Sequence, residues 1–330
     1  MISNILKSNQ PYVIVLIMII GILIWFNSLF SSVAMAIPSD QLSMPFYDIF
    51  FGAINKNSQV SVILAFVFVI IQAFLMVQFN KQNIVITNRT YLPAFFYIIL
   101  TGSFVHMQRM NPVIIGSIFL FFSVRFIFRT YREDYALNKL YLAGFFIALA
   151  SLFWAPFALF FFLIWISLTI LRPFIGREWI VGILGYCTPL LFVFTYYFVF
   201  NDDKLATIMM NFFESFKLSY SFHFLNNSYN IFYLFIALLI IISSYVLMLN
   251  FQKKKIKNRK FFVINWWIFA IGLISFILFK NIKYEMIYLL AIPVSFLFTD
   301  YFYSIKRTWM LDSILLVMFL MIVYIKIIAH

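Results

Sequence analysis

Charge is scarce in this chain, and carboxylates are scarcer still. Only 11% of its 330 residues are charged, with 11 Asp and Glu set against 24 Lys and Arg, where a soluble domain carries about 25% charged residues. So few charges cannot cover a water-soluble surface. The one cysteine, Cys187, has no second thiol, which excludes a disulfide framework and a cysteine-rich metal site. The 3 histidines are far apart in sequence. No Walker A, H-E-x-x-H or nucleophile-elbow motif occurs, so neither a metal nor another cofactor is expected. No apolar run carries an ionisable residue near its middle, where a charge costs at least about 2.5–3.5 kcal/mol. That weighs against a proton pump or an ion-coupled carrier with a carboxylate relay. Nor is there a strong internal repeat of the kind many transporters show.

Apolar sequence fills the space that charge leaves. Hydrophobic residues make up 65% of the chain, and the mean hydropathy is +1.00. Runs near membrane thickness recur from end to end, each matching the roughly 30 Å hydrocarbon core at 1.5 Å per helical residue. The fold expected is all-α: a single integral membrane domain over 1–330, a polytopic transmembrane helical bundle of about eleven spans. These are 11–30, 59–79, 91–105, 112–128, 140–153, 156–171, 179–200, 229–250, 261–279, 286–304 and 309–327. Continuous runs of this kind exclude a β-barrel, whose strands alternate over about ten residues. The fifth and sixth runs meet at "WAP" (154–156), either as a hairpin, which is preferred, or as one Pro-kinked element. The 46 Phe are expected to be mostly lipid-facing filler.

With alternating spans and a cytoplasmic N-terminus, the cytoplasmic face receives 17 of the 24 Lys and Arg, including the run "KKKIKNRK" (253–260), and the other face receives 7. This is the sense that the positive-inside rule requires. It places the C-terminus outside the cytoplasm and explains the net charge of +13 without nucleic acid. The run at 253–260 reads as a topology anchor with acidic-lipid contact. Arg125 and Arg129 read as snorkelling cations, and Asp300 and Asp312 as partners of Lys306 or Arg307. The A-x-A pattern at Ala34 and Ala36 resembles a signal-peptidase site. The run before it is a full span, longer than the 7–15 residues of a signal h-region, so the first helix is expected to be retained.

Any chemistry must then use loops and helix ends. The two longest loops, 31–58 and 201–228, both fall on the extracytoplasmic side and hold five of the carboxylates: Asp40, Asp48, Asp202, Asp203 and Glu214. In the first loop "FYDIFFGAI" reads as a short interfacial segment, and Asp40 and Asp48 would lie near the headgroups as candidate catalytic carboxylates. In the second, Leu205, Ile208, Met209, Phe212, Phe213 and Phe216 recur at helical spacing, predicting an amphipathic helix on the bilayer surface. His106 and Arg109 in "HMQRMNP", with Lys204, are candidates for holding a lipid phosphate through charge-assisted hydrogen bonds. The alternatives are solvated loop carboxylates and a polar turn whose "NP" starts the next helix.

"NRTYLPAFFYIILTGSF" (88–104), "MNPVIIGSIFLFFSV" (110–124), "LAGFFIALASLFWAPFALFFFLI" (142–164) and "RPFIGREWIVGILGYCTPLLF" (172–192) carry a resemblance. The chain resembles an uncharacterised multi-pass inner-membrane family of Bacteroidota, well over roughly residues 1–200 and weakly beyond. The "RP-x-x-x-REW" turn followed by "G-x-x-x-P" is its most specific part. The resemblance implies a bacterial inner (cytoplasmic) membrane location and no assigned activity. More remotely, the layout looks like that of the GT-C superfamily of polyprenyl-phosphate-sugar glycosyltransferases. Asp40, with Asp48 second, would correspond to the acidic residue of their first extracytoplasmic loop, although the usual acidic pair immediately after the first span is missing.

The leading expectation is an inner-membrane protein that acts at the extracytoplasmic face on a lipid-linked intermediate, in its most specific form a GT-C-like glycosyltransferase. Membrane lipid and a polyprenyl-phosphate-linked sugar are the partners implied. Asp40 or Asp48 would be the general base for an acceptor hydroxyl. A non-enzymatic membrane scaffold or assembly subunit is the alternative from a different class, and a flippase or small-molecule carrier is the third.

Overall fold

The computed structural model describes residues 2–8, 10–30, 44–51, 54, 57–86, 90–217, 227–279, 284–305 and 307–328. Fourteen α-helices occur among them, in the order α1 (Ile2–Lys7), α2 (Tyr12–Phe30), α3 (Pro45–Phe51), α4 (Ser58–Asn83), α5 (Leu92–Gly102), α6 (Pro112–Arg129), α7 (Leu137–Phe153), α8 (Phe161–Leu171), α9 (Gly176–Phe200), α10 (Asp202–Glu214), α11 (Asn227–Leu249), α12 (Ile256–Leu278), α13 (Ile287–Ser304) and α14 (Thr308–Ile328). Eight are long and apolar enough to cross a membrane: α2, α4, α6, α9, α11, α12, α13 and α14. The three remaining apolar runs, expected as full spans, form shorter helices: Leu92–Gly102, Leu137–Phe153 and Ala155–Leu171, the last with a 3-10 first half.

Helix α5 shows why a short element is tolerated. Its 11 residues rise roughly 16 Å at 1.5 Å each, half a hydrocarbon core. Every one of them is buried, so its ends are solvated by protein rather than lipid. Helices α5 and α13 form the centre of the bundle, whereas α2, α9, α11 and α14 expose long apolar side chains such as Phe192, Ile241 and Leu316. Phenylalanine is also the core material, which corrects its expected role as filler. Phe79 packs its ring against Phe121, Phe128, Phe261 and Phe296 at centroid distances of 5.5–6.2 Å.

The chain runs back and forth between two ends. At one, which we term the basic end, cations tie helix termini together. Arg172 bridges to Glu178 and donates to the carbonyls of Thr130 and Glu133. Lys260 reaches the Leu171 carbonyl at 3.2 Å and Lys257 the Asn83 side chain at 3.0 Å. Lys254 pairs with Asp300, so that aspartate has a partner in the 253–260 run, while Lys306, one of the expected partners, lies outside the described residues. Lys254, Lys257, Asn258 and Lys260 of "KKKIKNRK" thus bond within the bundle, while Lys253 and Lys255 are exposed. Arg125 also reaches α4, donating to Gln82 at 3.0 Å in an exposed bond. Asn258 donates to the carbonyl of Ile84, which caps α4 at φ 49°, and so holds that left-handed residue in place.

Segment 140–171 is a hairpin, as preferred. Helix α7 starts at the basic end, where Lys139 pairs with Glu133, and finishes with Phe153 against Phe46 and Phe50 of α3. The chain turns at Trp154 and returns to Leu171 and Arg172. Helix α9 then crosses α7 at glycines. A Cβ on Gly144 would stand 2.3 Å from the Gly182 carbonyl oxygen, and one on Gly185 2.1 Å from that of Tyr141. Small residues permit this backbone approach in a lipid environment, where packing replaces the hydrophobic drive.

Candidate functional site

The opposite, loop end is organised around one turn. Helix α5 stops at Gly102, residues Val105–Met107 form a 3-10 turn, and Asn111 caps α6 by accepting the Ile114 N–H at 3.1 Å, with Pro112 in its first turn. The side chain of Gln108 points inward and is fully buried. Its Nε2 donates to the carbonyls of Gly102 (2.6 Å) and Ile24 (3.3 Å), and its Oε1 accepts from Ser28 Oγ at 2.5 Å. Three further helices grip the same turn. Tyr47 of α3 donates to the Met110 carbonyl (2.8 Å), the Met110 N–H donates to Ser61 of α4 (3.1 Å), and Tyr288 of α13 donates to the Met107 carbonyl (2.6 Å). Lys326, from the last turn of α14, donates to the Ile24 carbonyl that Gln108 also uses. Buried backbone groups must find partners, and here three helices, α3, α4 and α13, supply them to one stretch of irregular chain.

An apolar groove of about 420 Å³ lies beside this turn, between α5, α11, α12 and α13. Leu100, Phe104, Tyr233, Phe276, Met286 and Leu290 are among its lining residues. Phe104 joins groove and turn, since it lines the one and leads into the other, and its ring stacks on Tyr233 at 4.8 Å. The volume falls in the range of about 300–1,000 Å³ usual for small-molecule sites. Its helices α11 and α12, two of the membrane-length helices, also carry exposed Ile231, Leu234, Ile241, Ile274 and Ile277.

The expected site residues divide. Asp48 lies on α3, next in sequence to the Tyr47 that holds the turn, and His106 and Arg109 lie in the turn itself. The structure thus brings these three backbone positions together. The side chains of Asp48 and His106, and the whole of Asp40, lie outside the described residues. Arg109 Nη1 is buried without a hydrogen-bond partner among the described residues. Lys204 stands apart, exposed in the first turn of α10, where its N–H donates to Asn201 Oδ1 at 3.2 Å. Helix α10 is the amphipathic helix expected. Met209, Met210 and Phe213 are exposed, while Phe216 packs on Phe279 at 5.3 Å, one turn beyond the groove-lining Phe276. "FYDIFFGAI" likewise contains a short helix, α3, with Ile49 and Phe50 exposed.

Gln108, Tyr47, Tyr288 and Lys326 were not legible as site residues. Gln108 sat in view as a polar residue of the turn, but the tyrosines and Lys326 lie in distant segments whose convergence no local pattern announces. The arrangement can hold a hydrocarbon chain in the groove and an anion beside the turn.

Comparison with known proteins adds a family and no activity. No curated protein and no solved structure matches the chain. A family match covers the C-terminal helices, expected to be weakly covered, and begins beyond Asp40 while including Asp48, His106, Arg109 and Lys204. Over residues 42–330 the chain belongs to the family of unknown function DUF6427.

Proposed function

We propose that this chain is a multi-pass protein of a bacterial inner membrane that acts at the extracytoplasmic face on a lipid-linked intermediate. In this reading all eleven apolar runs cross, the basic end faces the cytoplasm and the loop end faces outward. The sequence bias of 17 cations to 7 supports that orientation. So does the course of the three short helices, which run between the two ends although they are short of membrane length.

The observation that carries the proposal is the continuity of groove and turn. A hydrocarbon-sized groove in the membrane-length helices ends at Phe104, and five residues on stands a guanidinium with one buried nitrogen unpartnered among the described residues. A lipid phosphate supplies both an apolar tail and a charged head. In the most specific form, a GT-C-like transfer from a polyprenyl-phosphate sugar, Asp48 or Asp40 accepts the proton of an acceptor hydroxyl. The freed oxygen attacks the anomeric carbon, and polyprenyl phosphate leaves with the bonding pair, held by Arg109, His106 or Lys204. Two measurements test this: mass spectrometry of lipids retained by the protein purified from its own membrane, and complementation of a deletion strain. A phosphate-bearing lipid and failure of Asp48→Asn or Asp40→Asn to complement are expected. Full complementation by both normally inserted variants rejects the enzymatic form.

A further inference from the structure

Two part-buried cations at the loop end have few acceptors among the described residues: Lys326 shares a carbonyl with Gln108, and Arg109 follows that glutamine in sequence. Lys326 is part-buried and directs its ammonium at the Ile24 carbonyl in α2. That carbonyl is already engaged. The helical pattern gives it the Ser28 N–H, and Gln108 Nε2 donates to it at 3.3 Å. A carbonyl oxygen has two lone pairs and an ammonium three N–H bonds, so Lys326 arrives as a third donor at two acceptor positions and leaves its remaining hydrogens to be satisfied. Among the described residues no carboxylate forms an ion pair with it. Arg109, one residue beyond Gln108, forms none there either, and its Nη1 is buried without a partner.

Partly burying a cation with no counter-charge among the described residues is costly, and an anion with several acceptor oxygens removes the cost. We infer that Lys326 and Arg109 together form the phosphate-binding part of the site, with Gln108 as the positioning residue between them. This rests on the proposed lipid-linked intermediate and names the residues that recognise its head. Gln108 ties α2 to the end of α5 through Ile24, Ser28 and Gly102, so the turn bearing Arg109 is fixed relative to the carbonyl that holds Lys326. When phosphate binds, the ammonium exchanges an overloaded neutral carbonyl for a charged oxygen, and charge-assisted hydrogen bonds are about twice as strong as neutral ones. Lys326 had counted in the sequence only towards charge bias.

The full chain in lipid nanodiscs is titrated with farnesyl phosphate, with farnesol as the same tail lacking phosphate, and with dioleoyl phosphatidic acid as the phospholipid source of the same head chemistry. Lys326→Met is expected to weaken farnesyl phosphate at least about tenfold, the worth of one hydrogen bond to a charged group. Lys326→Arg restores most of that affinity, and farnesol binds all three proteins alike. Equal farnesyl phosphate affinity in Lys326→Met and wild type overturns the inference and leaves the parent reading standing. A parallel loss of farnesol binding also overturns it, because Lys326 then only supports the fold. Tighter, Lys326-dependent binding of dioleoyl phosphatidic acid upholds the site and assigns it to phospholipid. Wild-type protein that binds none of the three ligands overturns the parent reading, and the inference with it.

Discussion

Arg172 Nη2 lies 2.8 Å from Glu178 Oε1, with both side chains less than a tenth exposed. The pair closes the turn between α8 and α9. Through the Thr130 and Glu133 carbonyls the same guanidinium also clamps the connection between α6 and α7. Removing one partner of a buried pair leaves an uncompensated charge, at about 3–5 kcal/mol. Glu178→Ala is therefore expected to lower the midpoint of thermal unfolding in detergent sharply, and Arg172→Met with Glu178→Met together to cost less than Glu178→Ala alone. A double variant no better than the single contradicts this assignment.

The glycine crossing of α7 and α9 makes a second prediction. Gly185→Leu and Gly144→Val meet backbone oxygens at 2.1–2.3 Å from the first added carbon, so the helices must separate. Membrane accumulation of both variants should fall severalfold. Gly176→Ala, where nothing stands within 4 Å of the added carbon, should accumulate as wild type does.

Gln108 is predicted to matter more than its neighbours suggest. Gln108→Leu strands the Ser28 hydroxyl and removes a donor from Gly102 and Ile24. Each buried polar group left unpaired costs about 1–3 kcal/mol. Unfolding followed by intrinsic fluorescence should show a larger loss for Gln108→Leu than for Ser28→Ala. Equal losses would mean that Gln108 does not organise the turn.

Asp48 carries the enzymatic prediction. Asp48→Asn keeps size and helix position while removing the base. It should insert at wild-type levels and lower activity at least about a hundredfold, the lower range of general base catalysis. The check is complementation of the deletion strain alongside quantified membrane protein.

Helix positions were legible because each apolar run is a folding unit in its own right: 112–128 became Pro112–Arg129, and 309–327 became Thr308–Ile328. The hairpin at Trp154 was legible from charge, since a single crossing would have put 253–260 on the wrong side. Partners were not legible. Asp300 pairs with Lys254, 46 residues away, and Tyr288 reaches Met107 across 181 residues. Composition could not tell which phenylalanines face lipid, because inside and outside are equally apolar in a membrane protein. Of the candidate site, the turn holding His106 and Arg109 was visible as polar punctuation. The groove beside it comes from four helices whose small offsets no sequence period records.

The central claim is that the groove holds the tail of a phosphate-bearing lipid whose head lies at the Gln108–Arg109 turn. The most direct measurement places a photoreactive benzoylphenylalanine at groove-lining Leu290 or at Leu316, 58% exposed on the outer face of α14. The protein is illuminated in its native membrane, and the adducts are weighed. The account predicts one dominant phosphate-bearing lipid adduct at 290, diminished by Arg109→Gln, and a mixture matching bulk membrane lipid at 316. The same bulk mixture at both positions would contradict it.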